Sequence, residues 1–180
     1  MREFAADPPI EERVGDRLRE AEMTVAVGEA CTGGLITTLL TDVPGSSAYV
    51  DRGFVTYSYD SLRTTLGIPR EQLDEHGAVS APVTRSMARS VRDRADTTWG
   101  LATTGIAGPG GAKPDKPVGT VFIGLAYAAP WGTEASYARV ERYEFDGPRL
   151  AVKERAARTA LELLFESAES TDTPPGTETA

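Results

Sequence analysis

The stretch Thr103-Thr104-Gly105-Ile106-Ala107-Gly108-Pro109-Gly110-Gly111 decides how this chain folds. It ends an apolar run that begins at Trp99, and Pro117-Val118-Gly119-Thr120 opens a second apolar run shortly afterwards. Glycine costs backbone entropy and proline removes an N–H donor, so a dense cluster between two strand-like runs implies a shaped loop. Such a loop can turn backbone N–H groups toward a small anionic or polar ligand. Glycine–proline loops also serve as plain connections, and two further segments weigh against that reading here.

The first is Val25-Ala26-Val27-Gly28-Glu29-Ala30-Cys31-Thr32-Gly33-Gly34-Leu35-Ile36, a buried strand running through a Gly-Gly turn into a helix. A helix start of that kind presents N–H groups and a positive dipole end, which favour a phosphate or carboxylate. The second is Pro44-Gly45-Ser46-Ser47, followed by a strand over residues 49–57 that ends in Tyr57 and Ser58. Outward from these, Pro8-Pro9 opens a helix with Ile10, Val14, Leu18 and Ala21 on one stripe. Strands are expected at 24–28, 99–104, 118–126 and 137–145. Helices are expected at 33–41, 61–66 and 69–75, after the N-cap Ser80, and after Pro148 with Ala157, Leu161, Leu164 and Phe165 inward. The short link between the last two strands forces a hairpin and therefore a mixed sheet. The fold class that follows is α/β, a three-layer sandwich with a mixed central sheet and helices on both faces. Residues 1–166 form one domain, and residues 167–180, rich in Ser, Thr, Pro and Glu, read as a disordered tail.

Composition narrows the function. The 180 residues carry a formal net charge of −8, with 16 Arg against three Lys, namely Lys113, Lys116 and Lys153. An acidic surface repels nucleic acid, and scarce lysine amid abundant acid resembles adaptation to high salt. One cysteine and one histidine exclude an internal disulfide and a thiolate–imidazole zinc site. No apolar run is long enough to span a membrane, and the first residues lack the apolar core of a signal peptide, so a cytoplasmic protein is expected.

Glu29-Ala30-Cys31-Thr32-Gly33-Gly34, Pro44-Gly45-Ser46-Ser47, Arg52-Gly53-Phe54-Val55-Thr56-Tyr57-Ser58, His76-Gly77-Ala78-Val79-Ser80, Thr104-Gly105-Ile106-Ala107-Gly108-Pro109 and Lys116-Pro117-Val118-Gly119-Thr120 together resemble the C-terminal domain of the CinA family. The resemblance runs from about residue 12 to about residue 166. Stand-alone versions of that domain are nicotinamide-nucleotide amidohydrolases, so it implies hydrolysis of the carboxamide of nicotinamide mononucleotide to the acid nucleotide and ammonia. It implies no metal and no cofactor, and a chain that self-associates.

By the same resemblance Ser47 is the nucleophile, Tyr57 moves protons and Thr32 assists. Gly33, Gly34, Ser46, Arg52, Thr104, Gly105, Gly108 and Gly110 are the candidate substrate-binding residues. The pattern breaks at two places: Ala30 replaces a family serine, and Leu62 stands where the family carries the lysine base. Arg63 cannot replace that base because a guanidinium stays protonated. Lys113 and Lys116 are alternative bases. His76 reads as a helix C-terminal residue and Asp60 as a solvated helix-start carboxylate. Glu29 either binds ligand or pairs with Arg52, Cys31 packs as a small hydrophobe, and Trp99 and Trp131 read as packing residues and not as stacking platforms. Two further readings stay open: a nucleotide-binding module without turnover, and an amidohydrolase on another carboxamide.

Overall fold

A computed structural model describes residues 3–171. The elements run α1 (Ile10–Glu20), β1 (Val25–Glu29), α2 (Leu35–Thr41), a 3-10 turn (Ser46–Ala48), β2 (Val50–Val55), α3 (Tyr59–Leu66), α4 (Arg70–His76) and α5 (Ala81–Ala95). β3 (Trp99–Gly105), β4 (Thr120–Tyr127), β5 (Tyr137–Glu144) and α6 (Arg149–Ser170) complete the chain. The sheet order is β2-β1-β3-β4-β5. β1 is parallel to both β2 and β3, whereas β4 is antiparallel to β3 and to β5, so the sheet is mixed as the hairpin requires.

Each face of the sheet is covered. α1, α2 and α6 bury Val14, Leu18, Ile36, Leu40, Leu161 and Leu164 against Val25, Val27, Trp99, Leu101 and Ile123. On the opposite face α3, α4 and α5 bury Leu62, Leu66, Leu73, Val83, Met87 and Val91 against Ala26, Ala102 and Ala126. Full burial of each large aliphatic side chain contributes about 1.5–3 kcal/mol, so both layers are needed to hold the domain. Gly100 lets α5 lie directly on β3, since a Cβ there would run into the carbonyl oxygen of Ala88.

Several local expectations change. α3 starts two residues earlier than the periodicity suggests, because Ser58 and Ser61 form a reciprocal capping box. Ser80 sits at the N-cap position of α5 but donates its hydroxyl to Gly77 O at 2.8 Å instead of capping the helix. α6 continues through residues 167–170, so the disordered tail does not begin at 167; Ser167 and Ala168 are buried, which holds that last turn. The rest of the expected tail, residues 172–180, lies outside the described residues. Trp99 is buried against Tyr127, but Trp131, at the tip of the β4–β5 hairpin, is fully exposed among the described residues.

The parallel strands give the molecule two distinct ends. The turns at 30–34, 56–58 and 106–111 follow the carboxyl ends of β1, β2 and β3, while the Ser46–Ala48 turn precedes the amino end of β2. Six residues of extended strand separate these ends by about 20 Å.

Candidate functional site

At the carboxyl ends of β1 and β3 a cleft of about 320 Å³ is lined by Ala30, Cys31, Tyr57, Ala78, Val79, residues 104–108, Gly110, Gly111 and Arg149. Clefts outside the carboxyl ends of parallel strands are the general ligand position of open α/β sheets. The glycine-rich loop forms one wall. Ile106 closes it back onto β4 by donating to Thr120 O and accepting from Gly119 N–H. Among the described residues the N–H groups of Ala107, Gly108, Gly110 and Gly111 have no protein partner, so they remain available to a ligand.

Arg149 was not signalled by any motif, yet it organises the cleft. Its Nη1 donates to Gly108 O at 2.6 Å and its Nη2 donates to the Tyr57 hydroxyl oxygen at 2.8 Å. Tyr57 is therefore held through its oxygen, which leaves its O–H proton free to point into the cleft. One turn along α6, Lys153 lies over the Gly33 turn, where a Cβ on Gly33 would meet its Nζ at 3.4 Å. Lys113 approaches Gly77, beside the Tyr59 hydroxyl. Two of the chain's three lysines thus stand at this rim of an otherwise acidic protein. A signal did exist in the sequence: α6 has no acidic residue in its first turn but carries Arg149 and Lys153 four apart. Cations at a helix start work against the dipole, and that spacing puts them on one face.

The Gly33-Gly34 turn does not offer its N–H groups to a phosphate. Glu29, fully buried, already takes them: Gly34 N and Ile36 N donate to Oε2 at 2.9 and 3.1 Å, and Thr37 N and Oγ1 donate to Oε1 at 2.9 and 2.8 Å. Glu29 is therefore an internal cap of α2, neither a ligand group nor a partner of Arg52. Arg52 pairs with Asp51 on the exposed surface of β2 and does not line the cleft. Thr32 is fully buried with its hydroxyl against Thr103 Oγ1 at 2.7 Å, beneath the turn and away from the cleft. Thr104 reaches the wall, its hydroxyl bonded to Thr84 Oγ1 at 2.8 Å.

Ser46 and Ser47 are the largest departure. Ser47 is exposed, but it belongs to the amino end of β2, across the strand from Tyr57. One copy of the chain does not bring the two hydroxyls together. Leu62 is 2% exposed and packs into the core beneath α3, so this position does not open onto the cleft. Lys116 lies within 3.8 Å of Asp115 in the loop, and His76 ends α4 beside Glu75, as its position before Gly77 implies. Burial pushes the Cys31 thiol up to about 12, which makes it a packing group and not a thiolate nucleophile. Among the described residues no group of three His, Cys, Asp or Glu is placed to hold a metal ion, and no helix is long and apolar enough to cross a membrane.

Comparison with known proteins agrees with this architecture. The family model of the CinA C-terminal domain matches residues 7–168. A CinA-like protein of Anaeromyxobacter sp. strain K is 49% identical over 153 residues, covering 85% of this chain and 36% of the relative. A CinA-like protein of Chlorobium limicola is 45% identical over 155 residues, covering 86% and 36%. The chain thus spans little more than a third of the length of these relatives. Among solved structures, a competence/damage-inducible protein from Agrobacterium tumefaciens superposes with a TM-score of 0.82 at 36% identity, covering 94% of this chain and 99% of that one. A CinA superfamily protein from Klebsiella pneumoniae gives a TM-score of 0.82 at 28% identity, covering 89% and 96%. With a family match over residues 7–168, a shared fold and the motifs in order, this chain belongs to the CinA C-terminal domain family.

Proposed function

We propose that this domain hydrolyses the carboxamide of nicotinamide mononucleotide, releasing ammonia and the acid nucleotide. The observation that carries the reading is the cleft itself, where Arg149 fixes the Tyr57 hydroxyl beside the unpaired N–H groups of the 107–111 loop. Arg149, Lys153 and Lys113 supply positive charge for the phosphate, and the loop N–H groups suit either a phosphate oxygen or a developing oxyanion. Ser47 Oγ, which has to reach this cleft from a second copy of the chain, attacks the carboxamide carbon; its proton passes through the Tyr57 hydroxyl to the departing nitrogen, so that ammonia leaves and an acyl–enzyme ester remains. Water then hydrolyses the ester, restoring the serine and freeing the carboxylic acid. The test is ammonia release measured against acid nucleotide formed. A one-to-one yield that is lost in Ser47→Ala and in Arg149→Ala supports the reading; no release from folded wild-type protein overturns it.

A second reading has its own observation. Leu62 is core, so α3 presents no lysine at the position where the family resemblance implies the base. On that reading the cleft binds the nucleotide without turning it over. Thermal stabilisation by nicotinamide mononucleotide without ammonia release separates it from the first.

A further inference from the structure

Beside the cleft lies a second hollow of about 520 Å³, larger than the cleft itself. It is bounded by Pro109, Val118 and Pro148, and it shares Ala107, Gly108 and Arg149 with the cleft. Arg149 is the only lining residue with a polar side chain, so the hollow is apolar except at this junction. Local sequence builds it. Gly108 has a φ of +85°, and a Cβ there would lie 2.6 Å from Val118 Cγ1, so only glycine lets Val118 rise against the loop. Val118 still remains 37% exposed. The segment leading into Pro148 is tied down twice: Phe145 N–H donates to Gly119 O at 3.0 Å, and Arg155 Nη1 donates to Asp146 O at 2.7 Å. Walls fixed in advance bind without first being ordered.

Arg149 decides what joins the two spaces. A guanidinium has five N–H donors. One goes to Gly108 O and one to the Tyr57 hydroxyl, which leaves three at the junction. They suit the oxygens of a phosphate. With a nicotinamide nucleotide in the cleft and its phosphate at Arg149, a group joined to the far side of that phosphate enters the hollow. An uncharged flat ring fits a space edged by two proline rings and a valine, and brings no charge that would be left unpaired there.

We propose that cleft and hollow together bind a nicotinamide dinucleotide, with its pyrophosphate on Arg149 and its second, uncharged base among Pro109, Val118 and Pro148. This rests on the reading of the cleft as a nicotinamide-nucleotide site and widens the ligand class from one nucleotide to two. The cleft alone, about 320 Å³, stands at the lower end of the usual range for ligand pockets, about 300–1,000 Å³, and the hollow extends it.

Titration calorimetry on the folded chain, with nicotinamide mononucleotide and NAD+ as probes, tests this. NAD+ binds at least about tenfold more tightly, because the second base gains apolar contact. Val118→Asp removes that advantage and leaves affinity for the mononucleotide unchanged, which also shows that the variant is folded. Val118→Ala removes part of the advantage and serves if the acidic variant does not fold. Adenosine, followed by ligand-observed NMR, binds alongside the mononucleotide with a nuclear Overhauser effect between the two, and NAD+ displaces both. Equal affinity for the two probes, an advantage untouched in both Val118 variants, or displacement of adenosine by the mononucleotide overturns the proposal and leaves the cleft reading in place. No binding of the mononucleotide overturns the cleft reading and this extension with it. The expected binding pattern without ammonia release supports the extension and condemns only the hydrolytic step.

Discussion

Two buried acidic networks in this molecule solve the same problem in opposite ways. Beneath the cleft, Glu29 is held by backbone N–H groups at the start of α2 and by the Thr37 hydroxyl. Between α1 and α6, Glu11 and Glu154 are held by one side chain, Arg158, at 2.8 and 3.1 Å. All four of these side chains are buried. The first arrangement binds charge to the main chain and so fixes the shape of a turn. The second binds charge to charge and only joins two helices. An ion pair can be replaced as a set, because both partners leave together; backbone donors cannot be removed.

The largest expected effect is therefore at Glu29. Glu29→Ala strands the N–H groups of Gly34, Ile36 and Thr37 and should cost at least about 4 kcal/mol in denaturant unfolding. Ligand binding at the cleft should be lost as well, since the Thr32-Gly34 turn loses its anchor. Arg158→Met should cost about 3–5 kcal/mol by leaving two unpaired buried carboxylates. Affinity for nicotinamide mononucleotide, the substrate proposed above, should be unchanged there, which titration calorimetry below the melting range would check. Glu29→Gln, which keeps acceptor oxygen but places an NH₂ against backbone donors, should cost about 2 kcal/mol. The combined change Glu11→Leu, Arg158→Met and Glu154→Leu should fall within about 1 kcal/mol of wild type or be more stable. If that triple variant is as unstable as Arg158→Met alone, the contrast between the two networks collapses.

A separate effect is confined to high pH, is absent near neutrality, and probes the wall above Glu29. The folded Cys31 thiol is raised by burial to about 12 from an ordinary 9.0. Stability associated with keeping it protonated is complete below about 9 and is lost as pH rises through about 12. Wild type should thus lose up to about 1.4 kcal/mol per pH unit more than Cys31→Ala across that window, and the two should run parallel below it. Parallel curves up to pH 12 would remove the thiol from the account.

Much of the fold was legible because it is periodic. Ile10, Val14 and Leu18 lie one helical turn apart, and the apolar runs of β3 and β4 are too buried to be anything but interior strands. The site was legible only where a motif is local, as in the 105–111 loop. Arg149 meets Tyr57 across 92 positions, a contact no short pattern encodes. Glu29 showed its charge but not its partners, since the donors come from a helix start whose facing no local pattern encodes. Ser47 and Tyr57 are close in sequence, which invited placing them in one pocket. A parallel strand lies between them, and an extended strand keeps its ends apart.

The exposure of Trp131 and burial of Trp99 give the protein a built-in pair of optical labels. Trp131 at the hairpin tip emits as if free in water whether the chain is folded or not, while Trp99, ringed by Tyr127 and Tyr137, changes its surroundings completely on unfolding. A Trp131→Phe chain would therefore carry a single fluorophore, seated on the central strand, whose red shift records the opening of the main core and nothing else.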